Sequence, residues 1–316
     1  QDQARIKMSE YFQKLNADLA EAKTLVPDNL TDKTRANKIT VSGLQARVAL
    51  YTKDWANAIT YSTEYINALP LAPAASFPGI WTDANTMEVS WTLKRSSSNN
   101  PYLQGNAYSN AGVQTRIGTM FRNTSASATN IGTVVWTPTD KLYNSFDAVN
   151  DVRFGVYFKD EPLLAAASRP SRLVNKYAGT GYGTSGENVA DAKVLRTGEM
   201  YLIRAEAKAE TGDLAGAAAD VNALRAARIT GYVPVAFATK DEAITAIMLE
   251  RYKELAFEGH RFWDMKRREL PVQRLASDAP NPAAMSLPAN HFRFVMPIPE
   301  QEILAIAAMA QNPGYN

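Results

Sequence analysis

Arg196-Thr-Gly-Glu-Met-Tyr-Leu-Ile-Arg-Ala-Glu-Ala-Lys-Ala-Glu-Thr-Gly212-Asp213-Leu214 and Glu250-Arg-Tyr-Lys-Glu-Leu-Ala-Phe-Glu-Gly-His-Arg-Phe-Trp-Asp-Met-Lys-Arg267 are the stretches whose pattern decides the fold. In the first, Met200, Leu202, Ile203, Ala205, Ala207 and Ala209 predict a helix with a small-residue face. Gly212 suits the position just past a helix, and Asp213 suits the N-cap of the next one. That second helix is expected from Leu214 to about Arg228, rich in alanine and carrying Val221 and Leu224. Alanine on facing surfaces lets two helices approach closely, the packing logic of tetratricopeptide-like hairpins. In the second stretch, Thr239 or Asp241 is the expected cap. Ile244, Ile247, Met248, Leu255 and Phe257 mark the buried face, and Gly259 is the expected stop. A short aromatic and basic helix follows, from His260 to Arg268.

Outward from these stretches, residues 2–25 have helical apolar spacing and end at Pro27, which bars continuation. A second helix is predicted from about Thr40 to Tyr51, and a third from Asp54 to near Leu69-Pro70. Asp54-Trp55-x-x-Ala58-Ile59 echoes Asp213-Leu214-x-x-Ala217-Ala218, so two like hairpins are expected. They are not in tandem, and the repeat array reads as interrupted. The 126 residues between them, 70–195, are broken repeatedly by proline, glycine and serine. Glu88–Leu93 and Gly132–Trp136 read as short strands, and Thr139–Phe146 as a short helix. Residues 271–292 read as loop, Phe292–Met296 as a strand, and Pro299-Glu300 as the start of a last helix.

The segment resembles the starch-utilisation-D (SusD/RagB) family of Bacteroidetes outer-membrane nutrient-binding lipoproteins. The resemblance rests on Arg-x-x-Glu-x-Tyr-Leu-Ile-Arg-Ala-Glu-Ala (196–207), Gly-Asp-Leu-x-x-Ala (212–217), Val-Asn-x-Leu-Arg (221–225), the run 250–267, Met296-Pro-Ile-Pro-Glu-x-Glu-Ile303 and Gln311-Asn-Pro-Gly-Tyr315. It implies a mainly α fold: tetratricopeptide-like helical hairpins (an α-α superhelix) with a long irregular loop-rich insertion and a few short strands. One SusD-like domain is expected over 1–316. Its helical hairpin part would be 1–70, its loop-rich ligand-binding insertion 71–195, and its C-terminal helical part 196–316. The resemblance also implies a lipid-bearing N-terminal cysteine and further N-terminal helices. The sequence contains no cysteine, so the chain is expected to be a fragment lacking its N-terminal part.

Composition narrows the function. A net charge of +2 argues against a strongly electrostatic nucleic-acid binder. No apolar run approaches the roughly 18 residues of a membrane span. Without cysteine there is no disulfide, thiolate chemistry or Cys-ligated metal. His260 and His291 lie too far apart for a zinc motif, and a structural role is expected for His260. Glu250, Glu254 and Glu258 share one helix face. They are expected to pair with Arg251, Arg261, Lys253 or Arg267 rather than to form a catalytic carboxylate pair. Gly181–Gly186 matches G-x-G-x-x-G, but Arg172–Tyr177 before it makes a poor buried strand, so a loop is expected there. Lys266–Arg268 reads as a solvated helix end.

The implied function is non-catalytic, cofactor-free capture of an oligosaccharide or polysaccharide at the cell surface. Delivery would be to a SusC-like TonB-dependent transporter in the outer membrane, with the full-length protein held there by its lipid anchor. Sugars present apolar C–H faces flanked by hydroxyls, so their sites stack an aromatic ring and surround it with polar groups. The expected platforms are Tyr102, Tyr108, Trp136, Tyr177 and Tyr182, with Arg95, Asn99 and Asn100 as polar neighbours. Trp81 and Trp91 are expected to be buried. A peptide-binding member of the same family, a glycoside hydrolase on a helical scaffold and a purely structural adaptor are the alternatives.

Overall fold

The computed structural model describes residues 6–95, 136–166, 170–179, 189–306 and 309–315. Among them the first helices are α1 (Met8–Leu25), α2 (Lys38–Thr52), α3 (Trp55–Ala68) and the short α4 (Phe77–Trp81), followed by strand β1 (Val89–Leu93). The middle of the chain carries α5 (Asp140–Tyr143), α6 (Val152–Tyr157), β2 (Phe158–Asp160), α7 (Pro162–Ala166), β3 (Arg172–Val174) and β4 (Ala192–Arg196). The remainder forms α8 (Thr197–Glu210), α9 (Leu214–Ala226), α10 (Lys240–Glu254), α11 (Arg261–Arg267), β5 (Val272–Gln273), β6 (Ser286–Leu287) and α12 (Glu300–Ala305).

Two hairpins, α2–α3 and α8–α9, turn in the same way. Lys53 and Gly212 both take a left-handed backbone, at φ 59° and φ 88°. Asp54 and Asp213 follow with nearly the same angles, φ −82° and ψ 77° against φ −81° and ψ 73°. Each aspartate accepts from the amide three residues on: Asn57 N at 3.3 Å and Gly216 N at 2.8 Å. The echo in the sequence is therefore a repeated turn.

The array that reads as interrupted along the chain is contiguous in space, because α3 packs directly against α8. Ala46, Ala49, Leu50, Ala58, Tyr65 and Ile66 of the first hairpin share one core with Met200, Ile203 and Ala207 of α8. Behind it, Ala205 and Ala209 meet Ala217, Val221, Ala243 and Ile247 of α9 and α10. Each fully buried large aliphatic here contributes roughly 1.5–3 kcal/mol of transfer free energy. Close approach explains Gly43 in α2: a Cβ there would lie 3.0 Å from the Tyr65 ring of α3.

The middle of the chain supports this frame with small antiparallel pairs. β1 pairs with β4, and β2 with β3. The Asn37 side chain caps α2 by accepting from Thr40 N at 2.9 Å and donates to Ser90 O of β1 at 3.2 Å, pinning sheet to helix. Phe77, Ile80, Trp81, Leu142, Phe146, Tyr157, Phe158 and Tyr177 form an aromatic-rich core beneath.

Several elements differ from the sequence expectations. Arg172–Val174 does form a strand, with Leu173 and Val174 buried. Residues 189–191 after the glycine-rich match run into β4, where a dinucleotide site needs a helix; Gly181–Gly186 and residues 132–135 lie outside the described residues. Residues 271–292 contain the β5–β6 pair, and Phe292–Phe294 is a 3-10 turn instead of a strand. α10 starts at Thr239 with a full capping box. It stops at Glu254, and residues 255–259 form a turn in which Phe257 has φ 65°. The carbonyls of Ala256 and Phe257 accept from Lys176 Nζ at 2.8 Å and Tyr177 Oη at 3.1 Å, which holds that turn in a conformation a bulky residue disfavours.

Candidate ligand-binding pocket

Glu250 and Glu254 of α10 and Glu258 of the turn after it are sealed inside the protein. Glu250 accepts from Arg153 Nη1 and Arg225 Nε, both at 2.6 Å. Glu254 accepts from Arg153 at 3.0 Å, Arg228 at 3.1 Å and Arg196 at 2.5 Å. Glu258 takes Arg196 Nη2 at 2.7 Å and Lys176 Nζ at 2.6 Å. Glu88, just ahead of β1, closes the network by accepting from Arg228 at 2.8 Å and Arg196 at 3.2 Å. Burial alone would raise the pKa of Glu254, but Arg228, Arg196 and Arg153 outweigh it and hold the carboxyl well below its usual range. The same contest leaves Glu258 at about 2, with Arg196 and then Lys176 as the winning charges. The glutamates are paired, but not with the expected Arg251, Arg261, Lys253 or Arg267: their partners come from α6, α9, β4 and the segments after α9 and β3. With no exposed oxygen, Glu254 cannot reach a glycosidic bond.

The basic end of α11 is paired as well. Arg267 donates to Glu206 and Asp264, and Arg268 to Glu210, so these side chains clamp α11 onto α8 instead of being solvated. His260 sits at the start of α11 with Nδ1 3.8 Å from Glu199 Oε1. Burial pushes the pKa of its imidazole down.

Clamping α11 leaves its other face to form one wall of a cavity of about 670 Å³. Trp136, Thr139 and Lys141 contribute one side, Tyr252 of α10 another, and Arg261, Phe262 and Met265 of α11 a third. Residues 270–274, Asp278, Leu287, Arg293 and Phe294 complete it. Phe262 stacks on Phe294 with centroids 5.9 Å apart, and Phe294 is buried beneath it. The Arg261 guanidinium stands over the Tyr252 ring at 4.8 Å, and Tyr252 Oη lies 3.4 Å from Thr139 Oγ1. Asp278 is occupied in capping α5: it accepts from Asp140 N at 2.5 Å and Lys141 N at 3.0 Å. Two large rings remain open to solvent at the mouth, Trp136 at 55% and Phe262 at 42% exposure. Such a lining can stack a flat apolar face and bond hydroxyls around it.

Of the sequence-predicted site residues, Trp136 is in this cavity. Arg95 is not: its amide donates to Asp191 Oδ1 at 2.7 Å beside the β1–β4 sheet. Tyr177 is corrected outright. It is 4% exposed, packs edge-on against Trp81 at 5.7 Å and gives its hydroxyl to a backbone carbonyl, so no ring face is left for a ligand. Asn99, Asn100, Tyr102, Tyr108 and Tyr182 lie outside the described residues. Trp81 is buried as expected, whereas Trp91 is half-buried. Sequence reasoning missed Tyr252, Arg261, Phe262, Arg274, Arg293 and Phe294. A signal was present: Phe262 and Trp263 are adjacent on a short helix, and adjacent positions do not share a face.

Residues 164–315 match the sequence model of the SusD family. No curated protein matches the chain in sequence. Among solved structures, a SusD superfamily protein from Bacteroides vulgatus is 23% identical with TM-score 0.80, over 100% of this chain and 67% of its own. A SusD-like carbohydrate binding protein from the same species is 20% identical with TM-score 0.74, over 95% and 65%. A laminarin binding SusD-like protein is 22% identical with TM-score 0.69, over 97% and 69%. The chain thus spans about two thirds of the length of these structures. The C-terminal motifs fall within the segment that matches the SusD family model, residues 164–315, and the described chain shares the fold of these SusD-like structures.

Proposed function

We propose that the chain binds an oligosaccharide at the Trp136–Phe262 cavity without altering it, and passes it to a SusC-like TonB-dependent transporter of the outer membrane. The helical frame and the loop-rich middle act as one domain at the cell surface, and lipid attachment of the full-length protein keeps it there. The observation that carries the reading is the pairing of two solvent-open rings with polar groups around one cavity. The SusD family match of residues 164–315 supports the transporter partner, and the carbohydrate- and laminarin-binding structures of like fold support the ligand class. The sealed state of Glu250, Glu254 and Glu258 disfavours the hydrolase alternative.

Each stacked ring contributes about 1 kcal/mol beyond its area, or roughly fivefold in Kd. Affinity electrophoresis against a polysaccharide panel, with Trp136→Ala and Phe262→Ala, tests this. Both variants should weaken binding about fivefold, and recovered polysaccharide should keep its chain length. Undiminished binding by both variants would place the site elsewhere, and shortened polysaccharide would overturn the non-catalytic reading.

A further inference from the structure

We propose that the cavity selects an acidic glycan, one whose sugars carry carboxylate or sulfate groups. This rests on the oligosaccharide reading above and adds the charge class of the ligand.

Among the described residues the lining holds four basic side chains, Lys141, Arg261, Arg274 and Arg293, against one carboxylate, Asp278. That carboxylate already accepts two backbone amides of α5. Elsewhere the protein pairs its arginines closely: Arg47 with Glu199, Arg204 with Asp220, Arg225 with Glu250 and Arg251 with Asp264 are all within 2.9 Å. Among the described residues, no carboxylate oxygen lies within 4.0 Å of the side-chain nitrogens of Arg261, Arg274 or Arg293. Arg274 donates one bond, to Ala284 O at 3.4 Å, and the Arg293 guanidinium lies 5.7 Å from the Phe292 ring. Among the described residues, their remaining donors meet no carboxylate. In a chain whose net charge is only +2, this concentration around one cavity is local and is not a by-product of a basic surface.

Arg261 adds a second strand of argument. It is half-buried over Tyr252 and, among the described residues, in no ion pair within 4.0 Å; burial pulls its pKa below the usual value, and the more distant Asp264 opposes this only in part. An anion entering the cavity would relieve that unmet desolvation. The planar guanidinium fork matches a carboxylate or a sulfate through two parallel hydrogen bonds, which a neutral hydroxyl cannot reproduce. The rings then hold the sugar face while the arginines read its acid group.

The test uses the full chain and two matched pairs of probes in calorimetry. One pair is hexagalacturonate and its fully methyl-esterified form; the other is a sulfated galactan oligosaccharide and its desulfated form. An acidic probe should bind about tenfold or more tighter than its neutralised counterpart. High salt should shrink that advantage. The double variant Arg274→Gln/Arg293→Gln should bring the two to within about twofold while its melting temperature stays at the parental value. The pair that shows the preference distinguishes carboxylate from sulfate. Equal binding of neutral and acidic forms overturns the charge proposal and leaves the glycan reading standing. An acid preference that survives the double variant overturns its placement at these arginines. Failure of every acidic and neutral probe, together with the whole neutral polysaccharide panel, overturns both.

Discussion

Replacing Glu254 with glutamine removes the hub of the buried charge network while keeping its shape. The carboxylate is 0% exposed and serves Arg153, Arg196 and Arg228 at once. In Glu254→Gln those guanidiniums stay buried but lose their shared counter-ion. Breaking a buried pair by removing one partner costs about 3–5 kcal/mol. For 316 residues, at roughly 2.1 cal/mol/K of unfolding entropy per residue, that lowers the melting temperature by about 5–8 °C. The carboxyl's folded pKa is depressed. Its contribution is therefore complete above the unfolded glutamate value, about 4.3, and is lost as pH falls through the folded value. Differential scanning calorimetry of the parent and the variant should show a constant gap from about pH 5 to pH 8, narrowing below about pH 4. A variant melting within about 1 °C of the parent at neutral pH would refute the claim that this carboxylate holds the middle of the chain to the helical frame.

Two other perturbations probe the same region. Gly198→Ala should destabilise the chain by about 1–3 kcal/mol in denaturant titration. The new Cβ would sit 2.5 Å from Glu254 Oε1 and 2.7 Å from Arg196 Nη1, atoms that the network prevents from moving; unchanged stability would show that the network yields. Lys176 lies 4.1 Å from the Trp81 ring and 4.0 Å from that of Tyr157, and burial, opposed by Glu258, lowers its pKa to about 7. The unfolded chain binds its proton more tightly, so between about pH 7 and pH 9.5 stability should rise in the parent relative to Lys176→Met. Parallel pH profiles of the two proteins would count against the depressed value.

The helical frame was legible because it is written in local, periodic terms. Asp54 and Asp213 announce their turns by residue type, Thr239 is one of the two caps the sequence offers for α10, and alanine at 205, 207 and 209 marks close packing. The structural fate of Glu250, Glu254 and Glu258 was legible too, since clustered charges on a helix usually find partners. Which partners they find was not: Arg153 and Glu254 are 101 residues apart, and no periodicity links them. Tyr177 and Trp136 both read as platforms in the broken, aromatic-rich middle of the sequence. One is sealed against Trp81 and the other stands at a cavity mouth, because burial depends on what folds over a residue and not on its neighbours in the chain.

By itself, then, the sequence determined the hairpins and their turns, since helix periodicity and capping act over a few residues, and it carried the motifs of residues 164–315 that match the SusD family model. The tertiary structure decided that α3 and α8 meet, that the glutamates are locked by distant arginines, and that Arg261, Arg274 and Arg293 converge beside Trp136. Those are long-range juxtapositions, produced when separate hydrophobic faces bury one another and carry their polar edges along.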